Sequence, residues 1–82
     1  MFKAVVYVTL KESVLDPQGN AVKGSLHSLG FDEVNDVRIG KYMEVELNVN
    51  DRVAAEERLK EMCEKLLANT VIEDYRFELV EA

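Results

Sequence analysis

Val34-Asn35-Asp36-Val37-Arg38-Ile39-Gly40-Lys41-Tyr42-Met43-Glu44-Val45-Glu46-Leu47-Asn48-Val49 is the stretch on which the fold turns. It holds two alternating runs, Val34 to Ile39 and Tyr42 to Val49, joined at Gly40-Lys41. Val37 and Ile39 match Met43, Val45 and Leu47 as one apolar face, and a glycine-bearing two-residue link between alternating runs predicts a β-hairpin. The alternative is a single long bent strand.

On either side the pattern is simpler. Residues 2–11 alternate, with Ala4, Val6, Val8 and Leu10 on one face and Lys3, Val5, Tyr7, Thr9 and Lys11 on the other, as in a half-buried strand. Asp16-Pro17 reads as an N-cap followed by proline at the first helical position. Ala21, Val22, Ser25, Leu26 and Leu29 form one helical stripe, and Gly30 follows as a C-cap. Asn50 or Asp51 caps a second helix over about residues 52–68, with its stripe at Ala55, Leu59, Met62, Cys63 and Leu66. Tyr75, Phe77 and Leu79 alternate with Arg76, Glu78 and Val80 as the last strand. The order strand, helix, strand, strand, helix, strand predicts a ferredoxin-like α+β domain over residues 1–82, a four-stranded antiparallel sheet with both helices on one face. The other face is left bare, carrying Val5, Tyr7, Thr9, Arg38, Tyr42, Glu44, Arg76 and Val80.

Composition narrows the function. The chain has 82 residues, of which 48% are hydrophobic and 32% charged, which suits one globular domain with a small core. No apolar run approaches the roughly 20 residues of a membrane span. The alternating N-terminus reads as a strand and not a signal peptide. One cysteine, Cys63, cannot form an intramolecular disulfide, so a reducing, cytoplasmic setting is expected. A net charge of −6 disfavours nucleic acid and anionic lipid and favours a basic protein surface as target.

Catalytic readings find little support. His27 is the only histidine, and its neighbour Ser28 does not face it on a helix. Cys63 lies on the buried stripe, where a thiol is a small hydrophobe. Gly40-Lys41 fails as a phosphate loop, because Asn35 and Tyr42 stand where a glycine and a Ser or Thr are needed. Glu56, Glu57, Glu61 and Glu64 make a solvated helix face, and Glu44 with Glu46 lacks the further ligands of a metal site. Three classes remain: an accessory or scaffold subunit, a regulatory module binding an effector at a dimer interface, and an enzyme with a concealed site.

Three segments carry a family likeness. They are Lys11-Glu12-Ser13-Val14-Leu15-Asp16-Pro17-Gln18-Gly19, Val37-Arg38-Ile39-Gly40-Lys41, and Lys65-Leu66-Leu67-Ala68-Asn69-Thr70-Val71-Ile72-Glu73-Asp74-Tyr75. In order and spacing the chain resembles the PurS family, the small subunit of phosphoribosylformylglycinamidine synthase. Thr70 departs from it, standing where the family usually has proline. The resemblance implies a non-catalytic accessory subunit of an ATP- and glutamine-dependent ligase of de novo purine synthesis. A glutaminase subunit releases ammonia, and a synthetase subunit, which holds ATP and Mg, activates formylglycinamide ribonucleotide. The small subunit bridges the two and assists ammonia transfer. No cofactor or metal is then expected in this chain. The partner-binding residues expected are Lys11, Asp16, Pro17, Gln18, Gly19, Arg38, Gly40 and Lys41. A homodimer or dimer of dimers is expected through Val5, Tyr7 and Tyr42 on the bare sheet face, or through an edge strand. The reading from another class is an ACT-like regulatory domain, against which Glu12 to Asp16 lacks a glycine-rich ligand loop.

Overall fold

The computed structural model describes residues 1–81. The elements are β1 (Phe2–Leu10), α1 (Pro17–Ser28), β2 (Gly40–Leu47), α2 (Arg52–Met62) with a π-helical turn (Cys63–Leu67), and β3 (Glu73–Glu81). The sheet has three strands in the order β2-β1-β3, both pairings antiparallel, so the predicted four-stranded sheet is corrected.

The missing strand is the run from Val34 to Ile39. It is not a ladder strand but runs back beside α1, antiparallel to it. His27 Nε2 meets the Val34 carbonyl at 2.8 Å, the Val37 carbonyl lies against Gly19, and the Ile39 amide bonds to Asp16 at 2.7 Å. Val34, Val37 and Ile39 are each half-buried, which produces the alternation of a strand without strand pairing. Gly40 makes no turn either. Among the described residues only Gly30 has a positive φ, whereas a tight hairpin of the expected kind needs one at its turn. Gly40 opens β2 opposite Thr9, so close to β1 that a Cβ would sit 2.5 Å from the Val8 carbonyl oxygen.

The core is one-sided. Phe2, Ala4, Val6 and Val8 of β1 and Leu47 and Leu79 of the flanking strands pack under Ala55, Leu59, Cys63 and Ala68. Ala4 and Ala55, both fully buried, let helix and sheet approach closely. Of the two helices only α2 packs on the sheet. Helix α1 buries a single residue, Gly19, and with residues 34–39 forms an arm projecting from the sheet. The dimensions agree. The radius of gyration is 16.3 Å and the extents 50 × 27 × 14 Å. A compact chain of this length would have a radius of about 12 Å. The second expected helix on that face is therefore absent from it.

Helix ends follow sequence signals more faithfully. Asp16 caps α1 with proline at its first position. Gly30, at φ 97°, closes it with bonds from the Gly30 amide to the His27 carbonyl and from Phe31 to Leu26, a Schellman arrangement. Asp51 caps α2 through the Ala54 amide. The expected stripe of α2 holds at Ala55, Leu59 and Cys63 and fails at Leu66, which is 83% exposed. The cause is the π turn: the Ala68 amide bonds back to the Cys63 carbonyl, five residues away, and the extra residue moves the inward position from Leu66 to Leu67 and Ala68.

Substitution at Gly40 separates the close-approach role from a turn role. A tight turn would accept Gly40→Asn, whereas here both Gly40→Ala and Gly40→Asn press on β1. Urea denaturation should show each variant destabilised by about 1–3 kcal/mol.

Candidate functional site

The residues singled out in the sequence converge on one end of the sheet. The loop after β1, the start of α1 and the run into β2 meet there, and Asp16 lies buried at the centre. Its Oδ1 accepts the Gly19 amide at 2.9 Å and its Oδ2 accepts the Ile39 amide at 2.7 Å. Both bonds favour the ionised carboxylate. The Ile39 amide, then the Gly19 amide, hold its pKa below the usual carboxylate value, with the Arg38 charge adding to them against desolvation. One side chain thus caps a helix and pins a chain that arrives from 23 residues further on.

Arg38 secures the same junction from its outer side. Its Nη2 donates to the carbonyls of Lys11 at 2.8 Å and Val14 at 3.0 Å and lies 3.4 Å from that of Leu10. The sequence reading set Arg38 on the bare sheet face, but the structure folds its guanidinium over the loop. Gly19 is needed because a Cβ there would run into the Val37 carbonyl. Four of the eight residues, Asp16, Gly19, Arg38 and Gly40, therefore hold the junction together.

The other four face outward or line a cleft. Pro17 and Gln18 are exposed on the first turn of α1. Lys41 pairs with Glu73 at 3.7 Å, and the Lys11 amide bonds to the Ile72 carbonyl at 2.9 Å. Gln18 and the Lys11 ammonium have no side-chain hydrogen bond among the described residues. A cleft of about 170 Å³ opens beside Gln18, lined by Val8, Leu10, Asp16, Gln18, Ile39, Gly40, Lys41 and Glu73. Ile39 and Glu73 were missed from the sequence. Ile39 read as a strand residue, and nothing local marks Glu73.

Val5, Tyr7 and Tyr42 do share the open sheet face. The register sets Val5 between Glu44 and Glu78 and Tyr7 between Tyr42 and Arg76. His27 and Cys63 stay apart from the junction. Cys63 is buried, and desolvation followed by the nearby Glu64 charge pushes its thiol up, away from the reactive thiolate. Among the described residues, no three His, Cys, Asp or Glu side chains gather as a metal site. Among the described residues no helix is long and apolar enough to cross a membrane. Thr70 is exposed in the turn before β3.

What the fold and this junction define is a small α+β domain organised around a rigid surface. Comparison with known proteins makes this particular. The family model for PurS, phosphoribosylformylglycinamidine (FGAM) synthase, matches residues 3–81. The PurS subunit of Bacillus subtilis strain 168 is 64% identical over 99% of this chain and 95% of its own. That of a Synechocystis strain is 55% identical over 90% of this chain and 74% of its own. Among solved structures, a crystal form of B. subtilis PurS superposes with a TM-score of 0.89 over 99% of this chain and all of that one (100%). A chain of PurLQS from Thermotoga maritima superposes at 0.88, with 30% identity over 96% of each chain. The chain belongs to the PurS family of FGAM synthase subunits, of purine biosynthesis.

The junction can be tested by acid. Asp16→Asn keeps one acceptor and turns an amide N–H against Gly19 or Ile39, so it should melt below wild type. Because the folded pKa of Asp16 is depressed, its charge stabilises fully above the unfolded value of about 3.9. That contribution is lost as pH falls through the lower folded value. Melting curves between about pH 7 and pH 2 should show the gap between wild type and variant narrowing below about pH 4.

Proposed function

We propose that this chain is the non-catalytic accessory subunit of its FGAM synthase, bridging a synthetase and a glutaminase subunit so that ammonia passes between them without loss. The observation that carries this is the junction itself: two clamps, from Asp16 and Arg38, spent on the shape of an exposed surface rather than on a reacting group. Ammonia in neutral water is mostly ammonium and no nucleophile. A bridge that holds two active sites in register raises the effective concentration of free ammonia at the acceptor. A rigid domain suffices for this, with ATP and Mg held by the synthetase. The outward groups of the junction, Lys11, Pro17, Gln18 and Lys41, are the contacts we assign to the partners.

The protein acts as a homodimer, and the arm supplies the reason. Val22, Leu29 and Phe31 on the arm are 40%, 73% and 47% exposed. Beside α2, where a second helix was expected, lies a groove of about 310 Å³ lined by Val45, Met62, Leu66 and Leu67, with Arg58, Glu61 and Lys65 at its rim. An arm from a second copy would fill it, and its acidic end, Asp32, Glu33 and Asp36, suits the rim cations Arg58 and Lys65. Such an exchange is reciprocal, so two grooves are covered at once. The open sheet face is the weaker candidate for this contact, since glutamates flank Val5 on both sides.

Two measurements test these readings. The isolated chain should show no glutaminase, ATPase or FGAM-forming activity. Added to both partners it should raise glutamine-dependent turnover and leave ammonia-dependent turnover unchanged, and Gln18→Ala and Lys41→Ala should lower the former with melting temperature unaltered. Equal glutamine-dependent turnover with and without the chain would refute the bridge. For the dimer, Phe31→Asp and Leu66→Asp, each exposed in one copy, should sediment as folded monomers at micromolar concentration, and dimeric variants would refute arm exchange.

A further inference from the structure

We propose that the open sheet face, centred on Tyr7, Tyr42 and Arg76, binds a basic segment of a partner subunit in the assembled enzyme. The inference rests on the bridging role and identifies the face and the chemistry of one contact.

The three side chains form one interlocked unit. Arg76 Cζ stands 3.9 Å from the centroid of the Tyr7 ring, at cation–π range. Tyr7 and Tyr42, paired across the strands, meet edge to face at 5.6 Å and 72°. Tyr42 Oη donates to Glu44 Oε1 at 3.1 Å, and Lys3 Nζ holds the other oxygen of that carboxylate at 3.3 Å. Tyr42 is nevertheless 60% exposed. Solvent therefore meets tyrosine and arginine surface whose rotamers are already held. Tyrosine and arginine dominate the energetic centres of protein interfaces, and prior ordering lowers the entropy lost on binding.

The surroundings indicate the partner's charge. Alternation places two cations on this face, Lys3 and Arg76, and four carboxylates, Glu44, Glu46, Asp74 and Glu78. Lys3 pairs with Glu44 and Arg76 with Glu78 at 3.5 Å, so lysine or arginine side chains of a partner can lay their stems on the tyrosine rings and pair with Glu46 and Asp74. The face also holds a cleft of about 360 Å³, lined by Thr9, Lys41 and Asp74 beside the aromatic unit. Gly40 and Lys41 belong both to it and to the cleft at Asp16 and Gln18 on the other side of the sheet. A partner seated at the junction can thus continue around the strand end onto this face.

The experiment uses the full-length chain and the two purified partner subunits, with binding measured on immobilised partner at low and high salt. Tyr42→Ala and Arg76→Ala should remain dimeric, melt near wild type and bind one partner about 10- to 30-fold more weakly. Glu46→Gln with Asp74→Asn should flatten the salt dependence of wild-type binding. Variants that bind both partners as wild type does would overturn this proposal while leaving the bridge intact. If wild type itself binds neither partner, the bridging role fails and this proposal with it. Variants that fall apart into monomers would assign the face to the dimer and also overturn it.

Discussion

The structure depends on one buried carboxylate with two obligations. Asp16 must satisfy an amide at the start of α1 and another at the entrance to β2, and both lie within 3 Å of it. Removed from water without those donors, the charge would be untenable, so helix start and strand entrance are tied to one point. Arg38 does the same for the carbonyls of the loop that leads from β1 into α1. Everything beyond this point, α1, the Gly30 cap and the returning run 34–39, hangs from it as a lever. The glycines serve that geometry: Gly19 lets the Val37 carbonyl come close, and Gly40 lets β2 lie against β1.

With α1 held away, a single helix must cover three strands. The two alanines at the helix–sheet crossing allow it to settle deeply at the centre, while the margins stay open. Met43, Val45, Tyr75 and Phe77 remain only partly covered, and the π turn adds Leu66 to the uncovered surface. A chain this small buries only about 60–70% of its unfolded surface even when compact, and this one is far from compact. Uncovered apolar surface on both arm and groove gives association a driving force proportional to the area removed from water.

The two faces of the sheet then divide the work. One carries the helix and the apolar groove beside it. The other carries an ordered aromatic and charged surface around Tyr7, Tyr42 and Arg76. The junction lies at the edge between them, and β1, which hydrogen-bonds to both neighbouring strands, ties it to both faces.

The sequence by itself determined the local elements and the family. Caps, the single proline and alternation depend on neighbours a few residues away, so Asp16, Gly30 and the face of β1 could be read directly, and the second cap narrows to Asn50 or Asp51, of which the structure uses Asp51. Lys11 to Gly19 and Val37 to Lys41 marked the junction, because its residues do more than their own turns require. Only the tertiary structure decided how many strands pair and where α1 goes. Alternation at Val37 and Ile39 reports one half-buried side of an extended chain, and it is the same whether that side rests on a sheet or on a helix. Glycine at 40 likewise signals a missing Cβ, and only the approach of Val8 shows that space, and not a turn, required it. The inward position lost at Leu66 follows from a single backbone bond closing one residue late, and no side-chain pattern records it.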